Sequence, residues 1–416
     1  MMDWGTLDAE SFRHALSLGL GRALLSVRQQ ERALDQDALW AACITCQTHD
    51  WELEGHRAPW LYTLLIDAGL ATHWAEPLLA SLPEATTIPD ADQRAGLALC
   101  LAQAGHAGAS AALEALLYRD LDPSLTVPGA RELIELNGVG GLRVVLTTVG
   151  RALRSGDARH LDGMGTWMMA AEDILGVEIV ARTLAESTDP YIQTVHEAWM
   201  DEPTEAADPP HGPSLAPEPL SAPERESLYT QVRSAALALA AGRPSPLDAN
   251  TLARGLARLT RHPPRVLDPL LLTLDRHADP RVRRQLSRLL SGIRDPLLRA
   301  WALEGPLGHP NRLRLLVANF EAGDAHRIRS SLQHPLEPDD LHDRCAILLR
   351  LHESRSDEDW AGCLLHVYAD GPSSLHREEA LVRLVDDETA PPWLVAEACW
   401  DAHPAVAEAA QEAESS

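Results

Sequence analysis

The chain has 416 residues, 45% of them hydrophobic, and its 61 acidic residues exceed its 36 basic residues to give a formal net charge of −25. This composition argues against a disordered chain, and the negative charge opposes binding to nucleic acids and to anionic membranes. No apolar run reaches the about 18–20 residues of a membrane span, and the N-terminus is acidic where a signal peptide is basic, so we expect a soluble cytoplasmic protein with no membrane partner.

The hydrophobic residues are mostly leucine and alanine, and the chain has only two phenylalanines and five tyrosines. Leucine, alanine, arginine and glutamate favour helices, whereas β-branched and aromatic residues favour strands. The composition therefore predicts an all-α protein.

The N-terminal arm, residues 1–201, is helical by pattern but shows no visible repeat. Its short connections favour antiparallel neighbouring helices. We interpret it as a divergent array of helical repeats. The predicted helices span 10–29, 36–48, 58–70, 91–105, 108–118, 129–136, 141–154, 165–174, 176–187 and 190–200.

The segment "CITCQTHDWELEGH" contains Cys43, Cys46, His49 and His56. A Cys-x2-Cys pair is half of a zinc site, and the histidines are candidates to complete it. However, no second Cys-x2-Cys pair exists, and "DALWAACITCQTHD" has the pattern of one helix with two thiols in the core. We favour free thiols in a reducing compartment and predict no metal and no cofactor.

A glycine-rich segment, "LNGVGGLRVV" at residues 136–145, is the chain's nearest approach to a nucleotide-binding loop. It lacks the Gly-x-Gly-x-x-Gly spacing and a preceding strand pattern. We interpret it as a turn between two helices.

Residues 202–226 contain seven prolines in 25 positions and almost no large apolar residue. Proline lacks the amide donor that a helix interior requires. We therefore predict an extended linker, which separates the N-terminal arm from a C-terminal arm at 227–416.

The C-terminal arm has a repeat that its prolines mark. Pro280, Pro310, Pro338, Pro372 and Pro404 follow one another at gaps of 30, 28, 34 and 32 residues. Proline is favoured at the first position of a helix, and further helix starts fall between these prolines. Each period of about 30 residues is therefore predicted to hold two short helices, which is typical of an α-solenoid. We expect the last few residues to be disordered.

The segment "DPRVRRQLSRLL" is the clearest motif in this arm. Val282, Leu286, Leu289 and Leu290 form one predicted buried stripe, and Asp279 is placed to cap the helix. The segment resembles the second helix of a HEAT repeat, whose motif Asp-Pro-x-Val-Arg matches Asp279, Pro280, Val282 and Arg283.

The resemblance to HEAT repeats covers residues 264–414, with degenerate copies of the motif at 294–305, 187–199 and 402–413. It implies an α-solenoid of antiparallel helix pairs, here with two arms joined by the proline-rich linker. It also implies that the motif's aspartate and arginine contact neighbouring repeats.

Charge is distributed unevenly along the chain. Residues 241–330 carry 16 arginines and 8 acidic residues, whereas residues 331–416 carry 5 arginines and 19 acidic residues. Helical spacing places these arginines in two rows, which we predict to bind a partner: Arg254, Arg258, Arg261 and Arg265, and Arg281, Arg284 and Arg288.

Three alternatives remain for the arginine rows. An acidic protein segment and a nucleic-acid backbone both suit the guanidinium group, although the acidic flanks oppose a polyanion. In the third alternative the rows bind no partner, and the arginines are either solvated or paired with the protein's own acidic residues.

The sequence predicts a non-catalytic scaffold or adaptor that binds a protein with an acidic segment on a curved solenoid surface. An accessory role beside a bacterial secretion or defence system would suit such an adaptor. No Gly-x-Ser-x-Gly, Walker A or His-Glu-x-x-His motif is present, and no small-molecule ligand is evident. The enzymatic alternative is a HEAT-like DNA glycosylase that uses the arginine-rich region.

Overall fold

The structure is a computed structural model that describes residues 7–29, 34–55, 57–119, 121, 126–201 and 220–415. Helices are the regular elements of these ranges, which contain no strand, so the all-α prediction is confirmed. No helix in the described part of the chain is both long and apolar enough to cross a bilayer.

Twenty-five α-helices are described, together with two 3-10 helices, Leu82–Glu84 and Pro269–Arg276. The first fourteen are Ala9–Leu18 (α1), Gly21–Gln29 (α2), Gln36–Ile44 (α3), Trp51–Glu54 (α4), Ala58–Asp67 (α5), Ala71–Ser81 (α6), Ile88–Gln103 (α7), Ala109–Leu116 (α8), Ala130–Asn137 (α9), Val139–Arg154 (α10), Arg159–Asp162 (α11), Met164–Leu175 (α12), Val177–Ala185 (α13) and Pro190–Asp201 (α14). The others are Ala222–Ala240 (α15), Ala249–Thr260 (α16), Pro280–Leu290 (α17), Pro296–Leu303 (α18), Pro310–Leu316 (α19), Asp324–Ser331 (α20), Pro338–Ser354 (α21), Ala361–Asp370 (α22), Ser374–Asp386 (α23), Pro392–Ala398 (α24) and Pro404–Ser415 (α25).

The described residues form two compact units. Unit 1 comprises those within 1–209 and 391–416, and unit 2 comprises those within 210–390. The boundary near residue 209 falls inside the predicted linker. The C-terminal end differs from the expected division, because residues 391–416 group with the N-terminal residues.

Two further predictions differ from the structure: where the linker ends, and that the C-terminal tail is disordered. Residues 202–219 of the predicted linker lie outside the described residues, but the linker does not extend to 226, because α15 begins at Ala222. Ser221 and Glu224 form a reciprocal capping box there, which stabilises the start of the helix. Pro223 does not prevent the helix, because it lies in the first turn, where proline is tolerated. The expected disordered tail is instead helical as far as Ser415.

Unit 1 matches most of the predicted helices, with two corrections. The predicted helix 10–29 is two helices, since Gly19 has a φ of 76° and ends α1. The helix α6 was not predicted, because Pro77 lies inside it and interrupts the pattern. The glycine-rich segment is a helix–helix turn as predicted: Gly138 lies between α9 and α10 with a φ of 58°.

The core of unit 1 forms around α7, α9, α10 and α12. The helix α10 packs on α14 at Gly150, where a Cβ atom would lie 2.1 Å from the carbonyl oxygen of Tyr191. Only glycine permits this approach of two helix backbones.

The helix α24 and the segment after it pack on the first helices of unit 1. The Ala402 amide donates to the Gly19 carbonyl oxygen at 2.8 Å, and the Trp60 indole donates to the Trp400 carbonyl oxygen at 2.9 Å. Arg22 pairs with Glu397 at 2.7 Å, and this glutamate is fully buried. These contacts explain why residues far apart in the chain belong to one unit.

Unit 2 follows the predicted proline periods. The first three periods hold α17 and α18, α19 and α20, and α21 and α22, which confirms two helices in each. Four of the five marker prolines begin a helix; the exception is Pro372, because α23 begins after Ser373 at Ser374. The helix α17 packs on α19, α19 on α21, and α21 on α23.

Candidate functional site: the arginine rows of unit 2

The helix α17 begins as the sequence predicts. Asp279 accepts a hydrogen bond from the Arg281 amide at 2.8 Å and pairs with the Arg281 guanidinium at the same distance. These bonds lower the pKa of Asp279 to about 2. The predicted apolar stripe of α17 is at most 1% exposed, so the remaining arginines of the helix point away from the core.

The arginine row of α17 is paired within unit 2. Arg284 lies 3.0 Å from Asp340, and Arg288 lies 3.6 Å from Asp343. Arg284 is also 3.6 Å from Asp343. Since Arg281 pairs with Asp279, all three arginines predicted on this helix have carboxylate partners in their own chain. This corresponds to the alternative in which the arginines pair with the protein's own acidic residues.

Asp343 is the centre of this ion-pair network. Besides the α17 arginines it contacts Arg314 of α19 at 3.2 Å, and the two side chains are only 17% and 10% exposed. Burial lowers the pKa of Arg314, while the charge of Asp343 opposes that shift. The sequence analysis missed Asp340 and Asp343; their spacing of three residues on one helix face was the signal that could have matched them to a basic row.

The arginines of α16, unlike those of α17, are all exposed. Arg254 and Arg258 are exposed on the helix, and Arg261 is the exposed C-cap residue. Asp248 caps the other end by accepting a hydrogen bond from the Thr251 amide at 2.9 Å. Leu252, Leu256 and Leu259 are buried on the opposite face, so the amphipathic pattern of the helix holds the arginines outward.

Arg265 does not belong to this helical row, contrary to the prediction. The helix α16 ends at Thr260, because Pro263 disfavours a helical His262 and cannot donate a backbone hydrogen bond. Arg265 is exposed in the following loop. The predicted row of four is therefore a helical row of three followed by a loop arginine.

The α16 arginines have fewer acidic partners than those of α17. Within the described residues, Arg254 and Arg265 form no ion pair, and Arg258 has a longer-range electrostatic interaction with Glu224. Arg261 has an interaction of its own. The helices α16 and α17 pack against each other, so one exposed arginine row and one self-paired row occupy neighbouring helices.

The arginines of the two predicted motif helices, α17 and α18, make two kinds of contact. Arg283 donates to the His277 carbonyl oxygen at 2.7 Å, so it closes the turn before its own helix. Arg299, from the degenerate copy, donates to Asp324 of α20 at 3.0 Å, and that aspartate is 1% exposed. Arg299, rather than Arg283, therefore contacts a helix of the next proline period.

The cysteine pair does not form a metal centre with other described residues. The helix α3 ends at Ile44. Cys43 and Cys46 therefore do not share one helix, contrary to the prediction. Burial raises the pKa of Cys43 to about 12, which keeps the thiol protonated and disfavours metal binding. In the described ranges, which exclude His56, no cluster of three or more potential ligands is present, and the six cysteines are free.

Comparisons with known proteins give no independent guide to these residues. No protein-family model, no curated protein and no solved structure matches the chain. We therefore infer the function from the geometry and the charges of the chain itself.

Proposed function

We propose that the protein is a non-catalytic adaptor that binds an acidic segment of another protein through the arginines of α16. The observation that carries this proposal is the contrast between neighbouring helices: Arg254 and Arg258 are exposed without a direct ion pair, whereas α17 uses its arginines internally. A guanidinium group that is already exposed and unpaired can bind a carboxylate without first breaking an internal contact.

A protein ligand suits this surface better than nucleic acid. The helical row offers Arg254 and Arg258 without an ion pair within the described residues, and residues 331–390 of the same unit contain 14 acidic residues and 5 arginines. That negative charge opposes a long polyanion more than a short acidic segment. The row thus fits carboxylates presented on a partner's loop or helix.

The scaffold that we propose for this surface is a HEAT-like α-solenoid of antiparallel helix pairs. Its support is the proline period with two helices in each repeat, the contacts in series from α17 to α23, and the aspartate caps of the motif helices. Stacked repeats of this kind bury one continuous core and leave an extended surface for a partner.

The test is a titration of the full chain with a fluorescent glutamate-rich peptide and, separately, with duplex DNA. We expect the peptide to bind with an affinity that falls as salt increases, and the Arg254→Gln/Arg258→Gln/Arg261→Gln variant to bind it about tenfold more weakly. A matched control, Arg276→Gln/Arg327→Gln/Arg350→Gln, removes the same charge from exposed, scattered positions of unit 2.

Equal losses in the two triple variants would mean that only net charge matters, and the proposal would be wrong. Preferential, steeply salt-dependent binding of DNA by the wild type would instead favour the DNA-glycosylase alternative. Circular dichroism of each variant verifies that the helices remain folded.

A further inference from the structure

Unit 1 contains a cavity of about 400 Å³ at the end of α10. One wall comes from the turn that follows α8, and the other comes from the last turns of α10 and the short segment after it. The volume lies within the about 300–1,000 Å³ that is usual for small-molecule sites. The charged lining residues are Arg119, Arg151, Asp157 and Arg159, and His160 adds an imidazole.

The charge of this cavity is opposite to that of its surroundings. Three guanidinium groups and one carboxylate line it, whereas residues 1–201 as a whole contain 28 acidic residues and 13 arginines. Arg159 already holds the carboxylate of Asp157 through two hydrogen bonds, of 3.0 and 2.9 Å. These bonds lower the pKa of Asp157, so the carboxylate is ionised and paired.

The other two arginines of the lining differ from Arg159 in their contacts. Within the described residues, Arg119 and Arg151 have no carboxylate partner. The guanidinium carbon of Arg151 lies 5.4 Å from the centre of the Tyr191 ring, which orients the side chain without neutralising it. Two guanidinium groups of the lining, from Arg119 and Arg151, therefore have no carboxylate partner within the described residues.

The remaining lining supplies polar and apolar contacts. Burial lowers the pKa of His160, and the buried Nδ1 atom of this residue has no hydrogen-bond partner within the described residues. Leu117 and Ala152 provide apolar surface, and Tyr118 adds a ring that is 59% exposed. A binding site for a small ligand combines such apolar contacts with a few polar groups.

We propose that this cavity binds a small organic anion, with its phosphate or carboxylate held between Arg119 and Arg151 and its apolar part against Leu117 and Tyr118. Guanidinium groups match both anions through paired N–H donors. The limited volume of the cavity and the net negative charge of residues 1–201 favour a small anion over a polyanion. The site uses residues of unit 1 alone, so it is independent of the α16 proposal.

The probe for this test is phenyl phosphate, which combines a dianion with a ring, compared by calorimetry with inorganic phosphate and with phenol. We expect phenyl phosphate to saturate the full chain below about 10 mM and each fragment to bind more weakly. Benzoate in place of phenyl phosphate tests whether a carboxylate is preferred to a phosphate.

The chain offers a matched pair of variants for the site. Arg151 and Arg154 both lie on α10 and both approach the Tyr191 ring, at 5.4 and 5.5 Å, but only Arg151 lines the cavity. We expect Arg151→Gln to weaken binding about tenfold, and Arg154→Gln to leave it within about twofold. Arg119→Gln should act as Arg151→Gln does.

Two results would overturn the proposal. One is the absence of saturable binding of either probe by the folded wild type. The other is an equal loss of affinity in Arg151→Gln and Arg154→Gln, which would place the effect in the general charge of α10. Circular dichroism and the thermal midpoint distinguish a loss of binding from a loss of folding in each variant.

Discussion

The two units treat buried charge in opposite ways. Of the described carboxyl groups, those with a raised pKa all lie in unit 1: Asp92, at about 8, and Glu132 and Glu397, both at about 7, each because of burial. In unit 2, by contrast, the charged network joins Asp340 and Asp343 to arginines of α17 and α19. Burial thus favours the neutral form of the unit 1 carboxyl groups, even for Glu397 with its partner Arg22, whereas the carboxylates of unit 2 link helices through ion pairs.

The largest expected effect comes from breaking the network of unit 2. Asp343→Ala leaves Arg314 largely buried without its partner and removes the contact of Arg288. We expect the free energy of unfolding to fall by about 3 kcal/mol, the range found when one partner of a buried ion pair is removed. Urea denaturation followed by circular dichroism measures it.

Asp339→Ala is the control for this change, because Asp339 is an exposed residue at the start of the same helix. It removes an equal charge but no ion pair. A loss of stability no larger for Asp343→Ala than for Asp339→Ala would contradict the role of the network.

The second prediction concerns the pH dependence of stability that the buried Asp92 of unit 1 should cause. Burial and the nearby Glu132 raise the pKa of Asp92 from 3.8 to about 8. Between these two pH values, Asp92 is therefore protonated in the folded chain and ionised in the unfolded chain. Stability must therefore decrease as pH rises from about 4 towards about 8. Asp92→Asn should be more stable than the wild type at pH 8, and this advantage should shrink by about 2 kcal/mol at pH 5.

Denaturant unfolding of both proteins at the two pH values measures this difference. A constant difference between Asp92→Asn and the wild type would mean that Asp92 ionises normally in the folded state. Glu397 contributes the same pH dependence to both proteins and cancels in the comparison, whereas Asp92→Asn also removes the coupling between Asp92 and Glu132.

A smaller effect is expected for the more exposed pair of unit 2. Arg284 and Asp340 are 32% and 29% exposed at a separation of 3.0 Å, so solvent screens their attraction. A double-mutant cycle with Arg284→Gln and Asp340→Asn should give a coupling free energy of about 0.5–1 kcal/mol. A coupling near zero at low salt would show that the two side chains do not act as a pair.

The smallest effect is expected on α16. Arg254→Gln removes an exposed charge that has no ion pair within the described residues, so the free energy of unfolding should stay within about 0.5 kcal/mol of the wild-type value. Thermal and urea unfolding measure it. A clear destabilisation would mean that this arginine serves the fold, as the α17 arginines do.

Local chemistry made much of the fold predictable. The prolines at helix starts, the capping aspartates and the apolar stripe of α17 act within one or two turns of the chain, and the structure has them where the sequence places them. Even the pairing of Arg281 with Asp279 is local, since only Pro280 lies between them. Gly19 shows the limit: its positive φ divides a segment whose apolar pattern continues across it.

The contacts between distant segments were not predictable from one sequence. Asp340 pairs with Arg284 across 56 residues, and Glu397 pairs with Arg22 across 375. Nothing local distinguishes these carboxylates from the other acidic residues of an acidic chain. The cavity of unit 1 is similar, because its arginines come from two segments of the chain that become adjacent only in the folded structure.

The most direct test of the central proposal compares α16 with α17 during binding. Amide hydrogen exchange of the full chain, with and without a saturating glutamate-rich peptide, reports where the peptide lies. We predict new protection over residues 249–265 and little change over 280–290, because the α17 arginines are already paired. Protection centred on 280–290, or none in unit 2, would contradict the assignment of α16 as the binding surface.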